Sequence, residues 1–281
     1  MQGKQQQQYL VSKKQIAYIF ESGEDTGAVN KSADGSVFSV QLDEAIALPR
    51  AAYDCTLEVV SMRAWNTVPN ITAALGNNQF RVSVGGTPYN ITIADGLYDT
   101  NSLSDFIQNE LVNQGLDRET LTLVADFATE RVIISFGAVG VQVDFAIADS
   151  VRSVLGFDAR LSPLAPSTVV GQTDPGDTVA AFNNVENFLI KSDIVNSNIP
   201  VNNSFDQTIA YLPITARPGS QITNEPINPL RIDASTLKNG GRNYFTFRLT
   251  DQAGNPAATG EAFGLTVVIR WKQFQSMVVN Y

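Results

Sequence analysis

From residue 36 onward, apolar side chains fall on every second position. Phe38, Val40 and Leu42 alternate with Val37, Ser39 and Gln41, and beyond Pro49 the period resumes at Tyr53, Cys55, Leu57 and Val59. A period of two marks a strand with one buried face. A proline between two such runs belongs at a strand edge or in a connection. The second run closes on Trp65-Asn66 and is followed by Asn70-Ile71. This pattern predicts the opening strands of a β-sandwich.

The texture changes over residues 76–160. Gln79–Val84 and Tyr89–Ile93 flank Gly85-Gly86-Thr87-Pro88, which is a hairpin signal. Leu103, Phe106, Ile107 and Leu111 then recur at helical spacing. Ser102 is positioned to cap that helix, Asp105 to complete a capping box, and Gly115 to close the end. Strand patterns follow at 121–127, 131–136 and 141–145, and Ser150–Leu155 reads as a short helix stopped by Gly156-Phe157. Strands with a covering helix predict a compact inserted α+β domain over 76–160. Residues 161–175 carry Pro163, Pro166, Gly171 and Pro175 and read as a connector rather than strands.

Strand patterns return at Phe188–Val195, Thr208–Ile214, Pro226–Asp233, Asn243–Thr250 and Phe263–Trp271, with Asp251-Gln-Ala-Gly254 as a turn. Regular strands with turn signals are the signature of a sandwich. The expectation is therefore one mainly β, antiparallel sandwich built from 36–75 and 176–281 and split by the insertion. Residues 1–35 begin with a glutamine run and read as an N-terminal arm. On that reading, deleting residues 1–30 impairs assembly and leaves folding intact.

Composition narrows the function. Of 281 residues, 43% are hydrophobic and 17% charged, and there is no histidine. A globular chain without histidine lacks the commonest general base, triad partner and metal ligand. The formal net charge of −9 disfavours generic nucleic-acid binding. Lys4, Lys13 and Lys14 make the first twenty residues a basic exception, here read as a solvated tail. The single cysteine, Cys55, shares the parity of Leu57 and Val59, so it reads as a buried, inert thiol. The start has no apolar leader pattern, and no run of residues is long and apolar enough to span a membrane.

Catalytic signatures are missing: there is no phosphate-binding loop, no G-x-G-x-x-G, no Cys-x-x-Cys and no nucleophile elbow. Two acidic pairs, Asp95 with Asp99 and Asp174 with Asp177, surround glycines. Either could hold calcium, but turn chemistry accounts for both. Trp65 and Trp271 could stack on a sugar, but at the ends of apolar strands they read as core-closing residues. No catalytic, cofactor or metal residue is assigned.

The order of these segments resembles the jelly-roll capsid vertex (penton) proteins of virophages and of polinton and adintovirus-like elements. The pattern is carried by Phe38–Leu42, Leu48-Pro49, Tyr53–Ala64, Trp65-Asn66, Asn78-Gln-Phe80, Gly96-Leu-Tyr98, Leu155-Gly-Phe157, Leu189–Ile194, Tyr211–Ile214, Phe245–Asp251 and Leu265–Trp271. The resemblance implies a virion protein, not an enzyme and without cofactor, that forms a homopentameric ring at icosahedral vertices and contacts the major capsid protein. It implies an outward insertion that can carry a spike. The arm would meet the shell interior or an internal membrane. Alternatives are a double jelly-roll major capsid protein forming trimers, which needs about sixteen strands in similar halves, and a carbohydrate-binding virion spike module.

Overall fold

The computed structural model describes residues 6–24, 26–183, 185–194, 199–201 and 204–279. Lys4 of the predicted arm and Val195 of a predicted strand lie outside them. The chain divides into two compact units, one formed by Met1–Asn66 with Val185–Tyr281 and one by Thr67–Asn184.

The first unit is an antiparallel sandwich of jelly-roll type. Eight of its strands are β1 (Gln6–Glu21), β2 (Val37–Ile46), β3 (Tyr53–Trp65), β4 (Asn187–Ser192), β5 (Thr208–Pro213), β6 (Gln221–Asn224), β7 (Arg242–Asp251) and β8 (Gly264–Val279). One sheet runs β1-β8-β3-β6, and the other contains β5-β4-β7-β2. Consecutive strands therefore alternate between sheets, except β4 and β5, which pair directly with each other, the strand order of a jelly roll. The two sheets meet through aromatic side chains. Phe20 of β1 lies 4.8 Å from Phe247 of β7, which in turn stacks on Phe38 of β2 at 5.1 Å, and Phe263 meets Phe38 edge-on at 4.9 Å. Leu57, Val59, Val267 and Ile269 complete the buried interior. Their positions follow the predicted alternation.

The predicted arm is corrected. Gln6–Glu21 pairs with β8 along its whole length, from Gln6↔Val279 to Glu21↔Gly264. Phe20 is buried, and Ser22 exchanges bonds with Phe263. The segment is thus the first strand of the jelly roll, and Phe38–Leu42 belongs to the second. Its run of glutamines and its exposed apolar residues hid the strand: from Leu10 to Glu21 only Phe20 is buried. Pro226–Arg231 is also corrected, from strand to loop: only Ile232–Asp233 pairs, with Leu57 and Thr56. Pro226 and Pro229 have no N–H to offer a ladder.

The second unit has its own core. A four-stranded sheet orders Leu161–Ser162, Val141–Asp144, Gln79–Val84 and Thr87–Thr92, and a three-stranded sheet orders Gln172–Pro175, Arg131–Phe136 and Leu121–Asp126. The predicted connector at 161–175 therefore contributes two short strands. Both lie at sheet edges, where Pro175 costs no inward hydrogen bond. The hairpin turns at Gly85 and Gly86, both with positive φ, as a two-residue turn demands.

Helix α1 (Thr100–Asn113) buries Leu103, Ile107 and Leu111 against this core. Its cap is Asp99, not Ser102. The Asp99 carboxylate accepts from Ser102 N at 2.7 Å, and Ser102 Oγ accepts from Asp99 N at 2.9 Å. Ser102 thus holds the third helical position of the capping box, and Asp105 instead pairs with Arg118 at 2.7 Å. Gly115, with φ +86, ends the helix as expected. Buried Asn70 ties the unit's entry to its interior. Its Nδ2 donates to Tyr98 O at 2.7 Å and Phe182 O at 2.8 Å, and its Oδ1 accepts from Tyr98 N at 2.9 Å.

Candidate functional site

Most residues singled out by sequence take structural roles. Asp99 caps a helix, and Asp95 accepts from Ala73 N at 2.9 Å. Asp174 and Asp177 both bind one guanidinium: Arg160 Nη1 lies 2.9 Å from Asp174 and Arg160 Nε lies 2.9 Å from Asp177. Ser162 Oγ adds a 2.6 Å bond to Asp174. The hydrogen bond from Arg160 holds the Asp177 carboxyl below its ordinary range, and the same partners hold Arg160 protonated. Carboxylate oxygens already engaged by Arg160 and Ser162 are committed to the fold rather than arranged around a cation. No group of three potential metal ligands occurs among the described residues. Cys55 is buried, and burial pushes its thiol pKa up, away from the thiolate that reactivity requires. Trp65 and Trp271 are both half-buried. The Nε1–H of Trp271 has no acceptor among the described residues, so the N–H contact expected of a core-closing tryptophan is not made there.

Two features of the sandwich stand apart. The first is the free side of β1, which ends its sheet. Leu10, Val11, Ile16 and Ile19 along it are 40–71% exposed. Phe274 of β8, opposite Val11, is also exposed and stacks on Tyr53 at 4.7 Å. A long edge strand with exposed apolar side chains is a template for further pairing.

The second is a groove of about 860 Å³ over the outer face of β1, β8 and β3, walled by the loop Pro226–Arg231. On β3, the inward positions 55, 57 and 59 leave Asp54, Thr56 and Glu58 facing out. Register places Gln15 beside Arg270 and Lys13 beside Lys272 on this side, and Thr56 opposite Arg270. Five cations, Lys13, Lys14, Arg231, Arg270 and Lys272, line the groove against two carboxylates. Glu58 is nearly inaccessible and is shared: Arg231 Nε approaches one oxygen at 3.2 Å and Arg270 Nε the other at 3.1 Å. Lys272 Nζ pairs with Asp54 at 2.5 Å. That ammonium holds the Asp54 carboxyl below its ordinary range and is itself held protonated. Lys13 faces Lys272 directly across the ladder; Asp54 supplies the counter-charge of Lys272, so the uncompensated charge of this pair is that of Lys13.

By sequence pattern alone, Lys13 and Lys14 belong to a solvated tail. Arg231, Arg270 and Lys272 carry no such signal and join them only because the first and last strands pair. Nothing local in the sequence signals that meeting.

No family model and no curated protein matches the sequence. Among solved structures, the chain is similar to the mavirus penton protein, with a TM-score of 0.49 and 11% identity, over 92% of this chain and 99% of that one. A likeness of that size carries neither assembly state nor partners to this chain.

Proposed function

We propose that this chain is a structural subunit of a viral shell, of the vertex type, that closes into a ring of five. The observation that carries the reading is the free edge of β1, with exposed Leu10, Val11, Ile16 and Ile19 on a jelly-roll sheet. The order of motifs from Phe38 to Trp271, which resembles the penton family, points the same way. A self-complementary or head-to-tail contact along such an edge removes apolar surface and unpaired backbone groups together. The role is geometric rather than catalytic. Contacts to a major capsid protein would run along the sandwich, and the unit Thr67–Asn184 would carry any spike.

Native mass spectrometry and end-on electron microscopy of the purified chain test this. A five-fold ring is the expected result. A trimer would favour the major-capsid alternative, and a monomer at all concentrations would sink the proposal. Ile19→Lys together with Leu10→Lys should abolish the ring while leaving the melting temperature nearly unchanged, since both side chains are already exposed.

A further inference from the structure

We infer that the groove over β1, β8 and β3 binds a short extended acidic peptide segment of a partner protein, with an apolar side chain among its Asp and Glu residues. The inference does not depend on the chain being a shell subunit.

Charge is the first ground. The groove holds five cations and two carboxylates, in a chain whose formal charge is −9. One carboxylate, Glu58, serves both Arg231 and Arg270, so a positive charge is left over there. Asp54 answers Lys272, and no ion pair is made by Lys13 or Lys14 among the described residues. Lys13 stands directly across from Lys272. The excess is therefore built into the register of three strands, and a bound carboxylate at Lys13 supplies the counter-charge that Asp54 already gives Lys272.

Shape is the second ground. The Pro226–Arg231 wall presents Ile227 at 96% exposure, between Pro226 and Pro229. A cationic floor with an apolar lip matches a peptide that alternates carboxylates with apolar side chains. Glu58 is fixed and nearly inaccessible, so it orients the two guanidiniums without itself confronting the ligand.

The third ground separates a peptide from a nucleic acid. A polyanion longer than the groove runs onto the acidic remainder of the surface and is repelled there. A short acidic segment is not. Phosphate backbones also gain nothing from Ile227.

Fluorescence anisotropy on the full chain tests the inference, with a fluorescein-labelled peptide of alternating glutamate and leucine as the probe and an oligothymidylate of equal charge as the competitor class. The peptide should bind at low salt and weaken steeply as salt screens the groove. Replacing Lys13 and Lys14 with alanine should reduce affinity about tenfold, the sum expected for two partly exposed ion pairs. Arg231→Ala, on the opposite wall, should reduce it too. Ile227→Ser should weaken peptide binding while leaving its salt dependence intact. Three results would overturn the inference: no binding of the peptide at low salt, binding indifferent to Lys13 and Lys14, or oligothymidylate bound as tightly as peptide. If the double-lysine variant does not fold, Arg231→Ala decides, because that side chain is 79% exposed on a loop.

Discussion

The unit Thr67–Asn184 and the sandwich solve the same problem in opposite ways. The first closes its sheets largely with local hairpins: Gln79–Val84 turns directly into Thr87–Thr92, and Leu121–Asp126 into Arg131–Phe136. The second joins the two ends of the chain. β1 pairs with β8 so that Phe20 faces Leu265, and β2 pairs with β7 so that Phe38 faces Phe247. Local closure costs little loop entropy, whereas the distant pairings are rewarded only after the whole chain is in place. The difference also sorts the chemistry. In Thr67–Asn184 the notable charges are satisfied close by, as Arg160 is by Asp174 and Asp177. In the sandwich, end-to-end pairing gathers an excess of cations and leaves an apolar edge.

The largest effect that would break this comparison is loss of β1. Deleting residues 1–21 should unfold the sandwich, because it removes a full strand of the β1-β8-β3-β6 sheet and the Phe20 anchor. If circular dichroism and the melting curve are unchanged, the segment is the arm that its sequence suggested. Next comes Phe136→Ala, which empties a fully buried site in Thr67–Asn184. It should cost about 3–5 kcal/mol and lower one calorimetric transition while the sandwich transition stays put. Equal shifts in both would show a single cooperative block.

Asn70→Ala should cost about 3 kcal/mol, because it removes a buried side chain that satisfies three part-buried backbone groups at Tyr98 and Phe182. Chemical denaturation of the variant reads this directly.

The smallest effect is at the helix cap. Asp99→Ala should cost about 1 kcal/mol. Backbone donation from Ser102 holds the Asp99 carboxyl below its ordinary value of 3.8. Its stabilising contribution is therefore present above that value and is lost as pH falls through the lower folded one. Asp99→Asn should keep the cap yet remove that part of the acid sensitivity, as a melting series between about pH 2 and pH 5 would reveal.

Much of the architecture was legible as pattern. The alternation from Phe38 to Val59 placed two strands, the Gly85-Gly86 pair placed a hairpin, and Leu103, Ile107 and Leu111 placed the helix. These signals are local, and the structure keeps them. The misplaced elements have separate causes. Gln6–Glu21 was not seen as a strand because its partner lies at the other end of the chain. Gln172–Pro175 was masked by Pro175, which an edge position tolerates. The cap fell on Asp99 rather than Ser102 because both residues of a capping box suit either end of the motif.

By itself the sequence determined that this chain is mainly β, that it carries an α+β insertion with a capped helix, and that histidine chemistry is absent. Those properties follow from period, turn residues and composition, which act over a few residues at a time. Only the tertiary structure decided that the first strand joins the last, and with it the free edge and the cationic groove. Strand pairing fixes which distant side chains share a face, and that choice is made by the closing of the whole sandwich rather than by any segment of it.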